Sequence, residues 1–153
     1  MEKDTVVIGI GNTLMGDEGI GCKIAEHFSA HSQDYPSIEF VDISTGGMKL
    51  LHIISGRKKA LLIDCAVMGT EAGTMRRFTP EQAQSVKQLS HYSLHEVDVL
   101  KIIAMAHSLG DCPDEIVLFG IEPERIELGQ HLSETLTARF DDYVTTIAKE
   151  LRE

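Results

Sequence analysis

Short apolar runs alternate with longer amphipathic segments along this chain, and this alternation constrains its fold more than any other feature. Four runs rich in β-branched residues predict buried strands: Thr5–Ile10, Ser37–Asp42, Ala60–Val67 and Glu115–Ile121. A further run, Thr74–Phe78, carries two adjacent arginines. Because charged side chains are costly inside a sheet, we predict that this run is an edge strand.

The segments between the strands carry apolar residues at three- and four-residue spacing, which predicts helices. They cover about 17–30, 47–54, 93–109 and 133–151, and a further helix begins at Thr79-Pro80-Glu81. Alternating strands and helices predict an α/β fold with three αβα layers. In this fold a twisted, mostly parallel five-stranded sheet carries helices on both faces. A length of 153 residues fits a single domain over residues 1–153.

Charge and composition narrow the classes of partner. The formal net charge is −10, with 24 acidic and 14 basic residues, which argues against nucleic acid or an anionic membrane. No apolar run approaches the ~20 residues of a membrane span, and no basic segment with a signal-peptide core stands at the start. Three scattered cysteines are typical of free thiols in a reducing compartment. We therefore expect a cytoplasmic protein.

The first loop resembles a nucleotide-binding turn, because Gly9 and Gly11 close the first strand. Leu14, however, stands where the dinucleotide fingerprint needs a third glycine, and no P-loop lysine follows. Asp17 and Glu18 would repel a phosphate from the start of the next helix. A cation site beyond the carboxyl ends of the strands is thus favoured over a nucleotide site. Acids at a helix start also complement the helix dipole, and this structural role stays open.

A second carboxylate and two histidines extend the candidate site. Asp64 ends an apolar run, either as a turn cap or as a partner of Glu18 in one crevice. Two carboxylates there would repel each other unless a cation or a proton lay between them. His91 and His95 flank the start of a helix, and their spacing alone does not choose between them. Two oxygens and one nitrogen suit zinc, nickel or manganese with open coordination positions.

Cys65 and the remaining histidines have simpler interpretations. Cys65 next to Asp64 allows a Cys/His nucleophile pair, but no activating motif surrounds it, which favours a small buried residue. The remaining histidines lack an obvious partner and are predicted to be surface residues: His27, His31, His52, His107 and His131.

Several segments, taken in order, resemble the hydrogenase maturation endopeptidases. They are Gly9–Asn12 with Gly16–Gly21, Asp42 with Thr45–Met48, Asp64, Ser93–His95 and Gly120–Pro123. The similarity runs along almost the whole chain. Ile43 and Ser44 depart from the glycine-rich box usual in the family. An ungapped alignment selects His95, and a one-residue shift would select His91.

The resemblance implies an endopeptidase that removes the C-terminal extension of a nickel-iron hydrogenase large-subunit precursor after its metal centre is inserted. It implies that Glu18, Asp64 and His95 are both the catalytic and the metal-binding residues. The metal would be nickel carried by the substrate, with another divalent ion such as zinc as the alternative. A nickel-binding hydrogenase assembly factor that cuts nothing is the alternative function.

Overall fold

The computed structural model of the chain describes residues 3–44, 48–87 and 94–152, with the backbone alone described at 84–87 and 94–98. A five-stranded sheet forms its middle layer, in the order β2-β1-β3-β5-β4. The strands are β1 (Thr5–Ile10), β2 (Ile38–Ile43), β3 (Lys59–Cys65), β4 (Met75–Phe78) and β5 (Glu115–Ile121). The first three pairings are parallel, whereas β4 lies antiparallel to β5 at the edge of the sheet. The prediction of an arginine-bearing edge strand is therefore confirmed.

Helices cover both faces of the sheet. They are α1 (Ile20–Ala30), α2 (Met48–Ile54), α3 (Pro80–Lys87), α4 (Leu94–Ser108) and α5 (Glu134–Leu151). The α1 and α5 helices pack on one face, and α2, α3 and α4 pack on the other. The predicted three-layer αβα fold is confirmed. The helix predicted from about residue 17 begins instead at Ile20, after a 3-10 turn over Gly16–Gly19.

Two apolar clusters lie on the two faces of the sheet, because successive strand residues point to opposite sides. One holds Leu62 of β3 together with side chains of α2 and α4. The other holds Leu61 and Ile63 of β3 together with side chains of α1 and α5. Strand β3 is buried on both faces, as a central parallel strand should be.

The strand register places the carboxyl ends of the central strands side by side. Gly9 of β1 lies beside Ile63 of β3, and Asp64 of β3 lies beside Gly120 of β5. The loops that follow these strands therefore share one edge of the sheet, called here the carboxyl edge. Within the described residues, no helix combines the length and the apolar character needed to cross a bilayer.

Candidate active site at the carboxyl edge

Glycines bring the start of α1 directly onto the ends of the central strands. A β-carbon at Gly21 would collide with the carbonyl oxygens of Ile10 and Ile63. A β-carbon at Gly9 would collide with the carbonyl oxygen of Gly21. No other residue type fits these two positions without moving backbone atoms, so the glycines fix the distance between helix and sheet.

The same close packing positions Glu18. Gly11 has a positive φ of 142°, and a β-carbon there would collide with the carbonyl oxygen of Glu18. The 3-10 turn that carries Glu18 thus lies against the end of β1, and it also contacts β3. The Glu18 side chain is half-buried at this turn. The structure therefore explains the glycine pattern by sterics and not by phosphate binding.

Asp17 anchors the loop that follows β5. Its side chain is fully buried, at 0% exposure. One carboxylate oxygen accepts hydrogen bonds from the backbone N–H groups of Glu124 and Arg125, both at 2.9 Å, and the other accepts from Ser133 N–H at 2.7 Å. The sequence offered a helix-dipole role for this acid, whereas its contacts bind a loop more than 100 positions away in the chain.

Glu122 plays the matching part for the segment that follows β3. It is buried, and one of its carboxylate oxygens accepts hydrogen bonds from Met68 N–H at 2.8 Å and Thr70 N–H at 3.0 Å. The Thr70 hydroxyl donates to the same oxygen at 2.9 Å. Sequence reasoning placed Glu122 only in a family turn and missed this role. An acid directly after a buried strand was the available signal.

Asp64 lies near the end of β3 and is buried, at 8% exposure. It lines a cavity of about 40 Å³ together with Leu62, which points to the α2 and α4 face. Gly120, its neighbour on β5, also lines this cavity, and a β-carbon there would crowd Ala66 at 3.0 Å and Met68 at 3.2 Å. The remaining lining is apolar, and Val99 and Leu100 of α4 belong to it.

The Cys65 thiol lies close to several carboxylates of the carboxyl edge. Burial raises its pKa most strongly, and the negative charges of Asp64 and Glu18 raise the pKa further. The side chain packs in the apolar cluster on the α1 and α5 face, at 5% exposure. A thiol that is both buried and surrounded by carboxylates stays protonated, so its environment disfavours a nucleophilic role.

Cys22 of α1 is a second buried thiol near these carboxylates. Its thiol lies 3.5 Å from the carbonyl oxygens of Gly9, Gly11 and Ile43, to which it can donate. Burial, followed by the charges of Asp42 and Asp64, raises its pKa to about 12. Acids carried by β2, β3 and the turn before α1 therefore lie near this edge of the sheet.

The predicted third ligand falls outside the described side chains. The backbone of His95 lies in the first turn of α4, four residues before Val99. His91 lies outside the described residues altogether, as does Ser93. Among the described residues, no three His, Cys, Asp or Glu side chains form a group that could hold a metal ion. A site shared by Glu18, Asp64 and a histidine stays a prediction.

The αβα fold, with buried carboxylates that anchor the loops at its carboxyl edge, is typical of α/β proteins that bind their ligands beyond the strand ends. A family model described as "Hydrogenase maturation protease" (HycI) matches residues 22–150. The chain belongs to the hydrogenase maturation protease family, and it is a peptidase.

Two relatives and one solved structure show the extent of this similarity. The chain is 31% identical over 148 residues to the hydrogenase expression/formation protein HoxM of Cupriavidus necator, covering 96% of this chain and 73% of that protein. It is 28% identical over 149 residues to the hydrogenase 2 maturation protease of Escherichia coli, covering 97% and 90% of the two chains. The structure of the Escherichia coli hydrogenase maturating endopeptidase HybD superposes with a TM-score of 0.84 at 26% identity, covering 99% of this chain and 93% of that one.

Proposed function

We propose that this peptidase removes the C-terminal extension of a nickel-iron hydrogenase large-subunit precursor after the metal centre has been inserted. Membership of the family supports the reaction class, and the names of the relatives support a hydrogenase as the substrate. We further propose that Glu18, Asp64 and His95 contact the nickel carried by the substrate.

One observation supports the site proposal: two acids from separate elements both lie near the same thiol at the carboxyl edge. Glu18 comes from the turn before α1, and Asp64 comes from β3. Both raise the pKa of the same Cys65 thiol, so both lie within electrostatic range of it. A divalent cation would offset the repulsion between two carboxylates held in this way.

The position of α4 supports His95 as the nitrogen ligand. Residues four apart occupy the same face of a helix, so the position of His95 lies one turn from Val99 on that face. Val99 lines the cavity beside Asp64. Oxygen and imidazole ligands together suit nickel or zinc and leave positions open, which matches an ion that arrives with the substrate.

Hydrolysis needs a water molecule near the scissile carbonyl carbon. A carboxylate of this site acts as the general base that takes the proton of that water, and the proton passes to the leaving amine. The cavity beside Asp64, of about 40 Å³, is large enough for a water molecule. A substrate that lacks nickel would bind poorly, so the site would also check that the metal has been inserted.

Cleavage of purified precursor, loaded with nickel or left unloaded, tests the proposal by mass spectrometry. We expect the wild type to shorten only the loaded precursor. Glu18→Gln and Asp64→Asn keep the shape of each side chain and remove its charge. Each should slow cleavage by at least about 100-fold, as expected for the loss of a general acid–base group.

Glu26→Gln, an exposed substitution on α1, is the matched control and should cleave normally. Normal cleavage by either site variant would show that the carboxylate is structural. Tight binding of loaded precursor by the wild type, without any loss of mass, would favour the assembly-factor alternative.

A further inference from the structure

Two histidines at the end of α1 form a pair that the candidate active site does not use. His27 lies in the last turn of the helix, and His31 caps its end, four residues on. Their ring centres are 4.7 Å apart. The sequence predicted surface histidines without an obvious partner here, whereas the His27 ring is half-buried and lies beside His31.

Aromatic contacts hold the His27 ring in place. The ring packs edge-on against Phe28, with ring centres 5.7 Å apart, and against Phe140 of α5, at 5.9 Å. Contacts on two sides restrict the positions available to this side chain. A metal ligand held in advance loses less conformational freedom when it binds an ion.

A hydrogen bond sets the chemistry of His31. Its Nδ1 lies 2.8 Å from the backbone carbonyl oxygen of His27. A carbonyl oxygen can only accept, so Nδ1 must carry the proton and donate it. In the neutral ring, Nε2 then keeps its lone pair. Histidines that bind metals usually donate their second ring N–H in this way, to a backbone carbonyl or a carboxylate.

The separation of the two rings fits one shared ion. Nitrogen–metal bonds of about 2 Å place each ring centre about 3.2 Å from the ion, so two neighbouring imidazole ligands have centres about 4.5–5 Å apart. The observed 4.7 Å lies within this range. His31 is exposed, so an ion and its remaining water ligands can reach the pair.

We propose that His27 and His31 form a second metal site, which binds a borderline divalent ion of the Ni²⁺, Cu²⁺ or Zn²⁺ type through two imidazole nitrogens. Such ions favour imidazole, whereas Mg²⁺ and Ca²⁺ favour oxygen ligands. The pair is separate from the candidate active site, because α1 has 11 residues and starts at the carboxyl edge. His27 lies seven residues after Ile20 and His31 lies eleven, so a rise of about 1.5 Å per residue places the pair about 10–16 Å from the start of α1.

The test uses the full chain labelled with ¹⁵N and carrying Glu18→Gln and Asp64→Asn, which weaken the other candidate site. Substoichiometric Cu²⁺ is added, and the amide signals that its unpaired electron broadens are recorded. We expect broadening first at the end of α1 and around Phe140 of α5. An excess of Zn²⁺, which has no unpaired electron, should reverse the broadening, and Mg²⁺ should not.

His31→Gln decides whether the pair binds the ion, because this exposed side chain can change without disturbing the core. It should weaken Zn²⁺ binding at least about tenfold, the range found when even a supporting residue of a metal site is removed. His107→Gln, which alters an exposed histidine at the end of α4, is the matched control and should bind as before. Equal binding with and without His31, or broadening centred on another histidine, would overturn the proposal.

Discussion

The two ends of the sheet hold their buried carboxylates in different ways. At the amino ends of the strands, Glu150 lies 3.1 Å from the Lys59 ammonium and 2.5 Å from the Arg77 guanidinium. At the carboxyl edge, Asp17 and Glu122 accept hydrogen bonds mainly from backbone N–H groups. These ion pairs join the regular helix α5 to β3 and β4, whereas the backbone donors at the carboxyl edge fix the shape of loops that would otherwise have many conformations.

This difference separates stability from function. An ion pair between side chains contributes to the free energy of unfolding without defining a site. A carboxylate that gathers the N–H groups of a loop determines where the neighbouring side chains lie. We therefore expect changes at the carboxyl edge to reduce processing most, and changes at the amino end to reduce stability with little effect on processing.

The largest effect should come from the histidine of the site. His95→Ala removes the proposed nitrogen ligand and should slow precursor cleavage by at least about 100-fold. His91→Ala should only weaken cleavage, because the ungapped alignment selects His95. Rates measured on the same loaded precursor compare the two. The reverse ranking would move the site to His91 and would break the proposed alignment.

Asp17 should show the next largest effect, on both stability and processing. Asp17→Ala removes the acceptor of three backbone N–H groups. Hydrogen bonds to a charged acceptor contribute about 1.5–3 kcal/mol each, but water can replace part of this at the exposed donors Glu124 and Arg125, so we expect a loss of about 3 kcal/mol in the free energy of unfolding. Urea denaturation measures it. Cleavage should also slow, because Glu18 is the adjacent residue.

Asp34→Asn is the matched control, because Asp34 is an exposed aspartate that also lies in a 3-10 turn. Asp34→Asn should leave both the free energy of unfolding and the cleavage rate unchanged. If Asp17→Ala unfolds like the wild type, its three hydrogen bonds do not anchor the loop, and the contrast between the two ends fails.

Sequence patterns predicted the layers of this fold well and its site only in outline. The strand Glu115–Ile121 was predicted with the observed bounds, because a continuous apolar run between polar segments marks a buried strand. The turn before α1 was predicted as α-helix, since hydrophobic spacing alone does not distinguish a 3-10 turn from the first turn of a helix.

Long-range hydrogen bonds explain what the sequence did not show. Asp17 and Ser133 are 116 positions apart, and no local pattern predicts that their loops meet. The packing of His27 against Phe140 of another helix is a similar case. Glu18 and Asp64 were predicted through a family resemblance and their places at strand ends, and their role as metal contacts stays a prediction.

At the amino end, Glu150→Gln should lower stability without changing processing. The hydrogen bond that Arg77 donates lowers the pKa of the Glu150 carboxyl, and Lys59 lowers this pKa further. Its stabilising contribution is therefore present above the unfolded pKa of about 4.3 and is lost as the pH falls through the lower folded pKa. We expect a loss of about 2 kcal/mol at pH 7, since the pair is only partly desolvated. The difference from the wild type should shrink at pH 3.

Asp4→Asn is the control for Glu150→Gln. Asp4 and Lys58 form an exposed pair at 3.7 Å, with side chains 69% and 74% exposed. Pairs of this kind contribute little, so urea denaturation should detect almost no change. If Glu150→Gln impaired cleavage as strongly as Asp17→Ala, the amino end would not be purely structural.

Cys65→Ala should have the smallest effect, although Cys65 follows Asp64 directly in β3. Neighbouring strand residues point to opposite faces, and the Cys65 thiol packs in the apolar cluster formed with α1 and α5. Burial and the nearby carboxylates raise its pKa, so the thiol is protonated at neutral pH and is a poor nucleophile. We expect Cys65→Ala to cleave loaded precursor at close to the wild-type rate, with only a modest loss of stability. Cys112→Ala, at a less buried thiol, should also cleave normally. A folded Cys65→Ala protein without activity would instead support a cysteine nucleophile and remove the carboxylates from the centre of the mechanism.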